Sequence, residues 1–283
     1  MSTILQVSNH MQKTDDGTAY EIYKPTGTPA NGAGKAQTLI LIHGLGLSMR
    51  TWDDFIPILA RDYCVIIYDL CGHGHSDLPE QTPTLSRLAR QLDALLEHLA
   101  ISQAHLIGFS LGGMINRRFA MDYPDKVASL VILNSPHERG DEQQALVEQR
   151  AKDTSAGGAE ATIETTLKRW FTESYRQTHS AKVNWVRQTV LANDPKNYAG
   201  HRFVLANGVV ELIRPSPPLD VPSLVMTCEF DEGSNVAMSQ AITAEIPNAS
   251  LIIIPELQHL GLLEKPELFT APILSFLDDI ITP

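Results

Sequence analysis

One serine stands out by its neighbours. In Gly108-Phe109-Ser110-Leu111-Gly112-Gly113 a hydroxyl is flanked by a glycine two residues away on either side. A strand-like run, His105-Leu106-Ile107, precedes it. A helical pattern (Met114, Ile115, Arg118, Phe119) follows and stops at Tyr123-Pro124. Strand, sharp turn and helix around G-x-S-x-G form an elbow that exposes a nucleophilic serine at a helix N-terminus, where the helix dipole favours developing negative charge. The glycines let strand and helix backbones approach without an intervening Cβ. A glycine-rich turn that only joins strand to helix is the plainer alternative, and the flanking pattern favours the nucleophile.

A serine hydroxyl is a poor nucleophile at neutral pH and needs a base, which needs an orienting acid. The chain order expected for this elbow is serine, acid, histidine. Met226-Thr227-Cys228-Glu229-Phe230-Asp231 places Asp231 just past an apolar strand, with Glu229 as the rival acid. Among ten histidines, His259 in Glu256-Leu257-Gln258-His259-Leu260-Gly261 lies in a loop after a late strand and in the right order. A developing oxyanion needs two preset backbone N–H donors. Leu111, next after the serine, supplies one, and Leu45 in His43-Gly44-Leu45-Gly46 supplies the other. His43 reads as a structural histidine that bonds loop backbone. The cluster Asp69-Leu70-Cys71-Gly72-His73-Gly74-His75-Ser76-Asp77 hints at a metal, but its alternating glycines and lack of further ligands at suitable spacing mark a loop-shaping turn. No phosphate-cradling glycine motif follows a strand. Neither a metal nor an organic cofactor is expected.

These residues need elements to hold them. Near-continuous apolar runs at 38–42, 63–68, 105–107, 129–133, 224–228 and 251–254 predict strands covered on both faces, as in a parallel sheet. Helices are predicted between them at Leu85–Leu99, Ala237–Ile246 and Pro266–Ile281. Leu5–Tyr23 predicts an edge hairpin turning at Asp15-Asp16-Gly17, and Pro25–Lys35 a loop. From about Ser135 to Pro218 strand-like runs cease. Helical stretches at 143–152, 159–175, 181–192 and 196–206 replace them, closed by Pro215-Ser216-Pro217-Pro218. The fold class is therefore α/β: a mostly parallel central sheet flanked by helices, with a core of residues 1–134 and 219–283. Residues 135–218 form an expected helical cap over the strands' carboxyl ends, where open α/β sheets place their sites.

Composition limits the remaining possibilities. The chain has 283 residues, is 43% hydrophobic and 19% charged, and contains no apolar run of about 18 residues. This excludes a membrane-spanning helix and a wholly disordered chain. A formal net charge of −11 with no basic run argues against nucleic acid and anionic lipid as partners. The opening Met1–Gln6 lacks the pattern of a secretion signal, so a cytoplasmic protein with Cys64, Cys71 and Cys228 reduced is expected. Oligomeric state leaves no trace.

Taken together, His43-Gly44-Leu45-Gly46, Asp69 with Gly72-His73-Gly74 and Ser76, the Ser110 elbow, Asp231 and His259 resemble the α/β-hydrolase superfamily over about residues 19–281. Within it, Lys168-Arg169-Trp170-Phe171-Thr172 and Asn197-Tyr198-Ala199-Gly200 resemble cap segments of 3-oxoadipate enol-lactonases. His201-Arg202-Phe203 departs from the small residues usual after that second stretch, and Cys228 stands where the family usually has glycine. The resemblance implies an esterase or lactonase acting on a small-molecule ester or lactone, with Trp170 a substrate contact. Carbon–carbon bond hydrolysis of diketo acids, cofactor-free perhydrolysis and a non-catalytic ligand receptor are the alternatives on the same scaffold. Ser110 excludes the branches with an aspartate nucleophile. Because the chain is acidic, an anionic substrate would need a cation in the pocket. Arg169, Arg187 and Arg202 are the cap's candidates, Arg202 first because it adjoins the apolar Phe203-Val204-Leu205.

Overall fold

The computed structural model describes residues 10–25, 27 and 37–281. A short hairpin opens the described chain: β1 (Gln12–Lys13) pairs antiparallel with β2 (Ala19–Tyr23). Its turn is closed by Gly17 N–H donating to the Thr14 carbonyl at 3.0 Å. The part of the expected hairpin before residue 10, and most of the expected 25–35 loop, lie outside the described residues.

The other strands are β3 (Thr38–Ile42), β4 (Cys64–Tyr68), β5 (Ala104–Phe109), β6 (Val127–Leu133), β7 (Ser223–Cys228) and β8 (Ala249–Ile254). They form an eight-stranded sheet in the order β1-β2-β4-β3-β5-β6-β7-β8. β2 joins β4 antiparallel, and every neighbour pair from β4 to β8 is parallel. All six residues of β5 and of β7 are buried. That explains why their sequences are mostly apolar instead of alternating: both faces are covered, and the polar exceptions His105, Ser223 and Thr227 are hydrogen-bonded.

The helices are α1 (Ile56–Leu59), α2 (Leu85–His98), α3 (Leu111–Asp122), α4 (Asp141–Gly157), α5 (Ile163–Trp170), α6 (Glu173–Thr178), α7 (Ser180–Leu191), α8 (Pro195–Asn207), α9 (Val236–Glu245), α10 (Gly261–Glu264) and α11 (Glu267–Ile281). Thr84 caps α2 by accepting from Arg87 N–H, and Leu85, Leu88, Leu92, Leu95 and Leu96 bury one face, in part against α3. Five helices, α4 to α8, fall between β6 and β7. The single helical stretch expected at 159–175 is two helices. Phe171 is extended, and Thr172 caps α6 while its N–H and hydroxyl both donate to the Glu264 carboxylate. A partner 92 residues away thus breaks a pattern that is locally helical.

Two buried imidazoles tie the fold to pH. His105 on β5 bonds Ser129 Oγ at 2.8 Å and Gln37 Oε1 at 2.6 Å, and His201 on α8 bonds the Asn197 carbonyl at 3.0 Å. Burial pushes each down to about 4, whereas an unfolded chain protonates histidine near 6.5. Between those values the unfolded state takes up protons that the folded state refuses. Stability therefore falls as pH drops through this window, by at most about 1.4 kcal/mol per pH unit for each histidine. The urea midpoint should decline steadily from pH 6.5 to 4.5, and His105→Gln, which keeps a polar partner for Ser129, should make that decline shallower. An equal slope in the variant would contradict the assignment.

Candidate active site

Ser110 closes β5 and opens α3 with φ 56° and ψ −111°, a costly conformation for a residue with a Cβ. The surroundings hold it there. Its N–H donates to the Leu133 carbonyl at 2.8 Å, and its own carbonyl accepts from Gly113 N–H and Ser135 Oγ, both at 3.0 Å. Ser135 accepts from the buried Arg117 guanidinium, which also donates to the Gly113 and Pro136 carbonyls. A Cβ on Gly108 would lie 2.2 Å from the Gly112 carbonyl oxygen, and one on Gly112 would lie 2.2 Å from that of Ile42. Both obstacles are backbone atoms that cannot swing aside, so the spacing of these two glycines around the serine is a packing requirement.

The structure brings three side chains into line over this turn. His259, in the loop after β8, has Nε2 3.2 Å from Ser110 Oγ and Nδ1 2.6 Å from Asp231 Oδ2. A carboxylate only accepts, so Nδ1–H donates to Asp231 and Nε2 is left to accept the serine proton. Asp231, just past β7, is fully engaged. Oδ1 takes the Gly233 and Ser234 N–H groups, each at 2.9 Å, and Oδ2 takes Asn134 Nδ2 at 2.8 Å as well as the histidine. The rival Glu229 points elsewhere: its Oε2 accepts from Glu256 N–H. The His259 ring packs beside Phe109 and Trp170, centroids 5.0 and 6.0 Å away.

The loop after β3 carries Leu45 to the same place. Its neighbours are committed: Gly46 N–H donates to His73 Nε2 and Leu47 N–H to the Gly44 carbonyl. The N–H groups of Leu45 and Leu111 close no turn among the described residues. His43 bonds backbone on both ring nitrogens, accepting from Leu70 N–H at 3.0 Å and meeting the Gly44 carbonyl at 2.8 Å, and burial holds its pKa down. The 69–77 loop is a braced turn. Asp69 accepts from Met49 and His75 N–H, and Ser76 Oγ donates to the Asp69 carbonyl. Among the described residues no group of three or more His, Cys, Asp or Glu could hold a metal ion.

The helical insert touches this loop directly. Asn193 Nδ2 donates to the Gly46 carbonyl at 3.0 Å, and Asn197 Nδ2 to that of Gly72 at 2.8 Å. The His201 ring stands edge-on to His73, centroids 4.6 Å apart.

A cavity of about 630 Å³ opens over the serine. Ser110, His259, Asp231 and Leu45 line one side, and helices α4, α5 and α8 supply Arg150, Arg169, Trp170 and Arg202. Arg187 does not line it: this guanidinium pairs with Glu164 at 2.7 Å on an exposed surface. The sequence reading missed two features. Asn134, buried at the end of β6 with φ 46°, braces Asp231; an asparagine closing an apolar strand was the available signal, because asparagine tolerates that conformation. Arg139 and Arg150 also reach the cavity, and nothing in their local pattern announced it.

Residues 37–266 match the family described as the alpha/beta hydrolase fold. The chain belongs to that family. This α/β-hydrolase is 27% identical over 239 residues to 3-oxoadipate enol-lactonase 2 of Acinetobacter baylyi, covering 84% of this chain and 87% of that one. Among solved structures it resembles the enol-lactonase from Burkholderia xenovorans, with TM-score 0.82, 24% identity and coverage of 92% and 96% of the two chains. A thermophilic esterase from Thermogutta terrifontis, solved with malate bound, superimposes with TM-score 0.80 at 26% identity, covering 94% of each chain. No helix among the described residues of this α/β-hydrolase is long and apolar enough to cross a membrane.

Proposed function

We propose that the protein is a serine hydrolase that cleaves a small carboxylic ester or lactone through an acyl-enzyme. The observation that carries this is the Ser110–His259–Asp231 line, with the imidazole tautomer fixed so that Nε2 accepts. His259 takes the proton of Ser110 as Oγ attacks the carbonyl carbon. The Leu45 and Leu111 N–H groups hold the resulting oxyanion. His259 then gives that proton to the leaving alcohol, accepts one from water for deacylation, and returns it to Ser110. Residues 1–134 and 219–283 act as the catalytic core in this reading, and residues 135–218 act as a cap whose Trp170 and arginines meet the substrate. The similarity to an enol-lactonase and to an esterase that binds malate is in keeping with a small, oxygen-rich substrate.

The test is turnover of 4-nitrophenyl acetate and butyrate together with labelling by an alkyl phosphonate. Many turnovers and a phosphonate adduct on Ser110 are expected. A single slow turnover would mark a ligand receptor instead, and no adduct on Ser110 would defeat the covalent mechanism.

A further inference from the structure

Four arginines outside the cavity are matched with carboxylates, while the buried Arg117 donates to carbonyls and to Ser135. Arg50 pairs with Glu21 and Asp53, Arg118 with Asp122 and Glu211, Arg187 with Glu164, and Arg214 with Glu138. The cavity over Ser110 gathers guanidinium groups without such mates. Arg169 on α5 and Arg202 on α8 both line it, and among the described residues neither lies within ion-pair distance of a carboxylate. Arg202 is half-buried beside the Tyr198 hydroxyl. Arg169, also half-buried, has its pKa lowered by burial and by the charges of Arg150 and Arg202, which outweigh the opposing charges of Glu232 and Asp231. Of the acidic residues lining the cavity, Asp231 is engaged by His259 and Glu138 by Arg214, and the exposed Glu232 acts on Arg169 through its charge without an ion-pair contact. Arg139, which donates to the Leu205 and Ala206 carbonyls, adds a further positive charge to the wall.

Like charges crowded in a partly dehydrated site repel strongly unless anions enter between them. A guanidinium presents a planar fork that fits one carboxylate in bidentate fashion. Two such forks, on separate helices and with no carboxylate in ion-pair contact among the described residues, define two anion subsites in one pocket. We infer that the substrate of this site is a dianion, an ester or lactone bearing two carboxylates, with Arg169 and Arg202 each taking one. The inference rests on the hydrolase reading for the word ester, and on the cavity alone for the charge of the ligand.

Three matched acetates test it: phenyl acetate, 3-acetoxybenzoate and 5-acetoxyisophthalate, which carry no, one and two carboxylates. At low ionic strength kcat/KM should rise by roughly 10- to 100-fold with each carboxylate, the gain expected of one charge-assisted pair. Arg169→Gln and Arg202→Gln should each erase the advantage of the second carboxylate. No gain from the second carboxylate in the wild type, or the same gain in both variants, would overturn the inference. Binding of the product 5-hydroxyisophthalate to Ser110→Ala, measured by calorimetry, gives a readout without turnover. It should weaken by roughly 10- to 100-fold when either arginine is replaced, and unchanged binding would also overturn it. Turnover and labelling without charge preference would leave the hydrolase reading standing and remove the dianion. Arginine-dependent binding with neither turnover nor label would do the reverse.

Discussion

Ser110→Ala is expected to lower kcat on a short ester by about 10⁴- to 10⁶-fold, and His259→Ala by a similar factor. The double variant should lose little beyond either single one. The reason lies in the geometry. Oγ is 3.2 Å from His259 Nε2, so in the proposed mechanism removing either partner disables the same step. In that mechanism what should remain is the contribution of the Leu45 and Leu111 amides and of binding in the cavity. Steady-state kinetics on the three variants measure this directly. Near-wild-type turnover by Ser110→Ala would rule out a covalent path through that oxygen, and multiplying losses would mean that the two residues serve separate steps.

The second large effect concerns the acid. Asp231→Asn should cost about 10³- to 10⁴-fold in kcat with little change in the fold. Oδ2 now accepts from both His259 Nδ1 and Asn134 Nδ2. If the amide turns its nitrogen toward the imidazole, Nδ1 must become the acceptor and Nε2 the proton-bearing atom, which cannot take the serine proton. Glu229→Gln, two residues away and bonded to the Glu256 backbone, should leave kcat within about twofold, since surface changes away from a site are usually small. If the two substitutions changed places in effect, the acid would be Glu229.

What could be read from the sequence was whatever depends on local order. The strands from β3 to β8 are legible because each is a short apolar run bounded by turn residues. The Ser110 turn is legible because two glycines must stand where Gly112 and Ile42 carbonyls crowd it. Asp231 and His259 follow from their places just after β7 and β8. Long-range partners are another matter. Glu264 splits the 159–175 stretch from across the molecule, and Glu164 draws Arg187 out to the surface. Asn134 meets Asp231 only once β6 and β7 pair side by side. No periodicity encodes contacts of that kind, so Arg139 and Arg150 stayed hidden, whereas Arg169, Trp170 and Arg202, named from the sequence, do line the cavity.

The grip of Asn193 on the Gly46 carbonyl and of Asn197 on that of Gly72 has a consequence for how such enzymes can be recombined. The helices that shape the pocket also hold the strand-to-loop segment bearing the Leu45 amide. A foreign insert grafted at 135 and 218 would bring a new pocket wall but leave two carbonyls without their donors, and the amide beside them without its brace. In the proposed mechanism, specificity and turnover would be joined at this seam. Chimaeras that exchange the insert alone should trade rate for range, whereas those that carry residues 43–77 along with it should keep both.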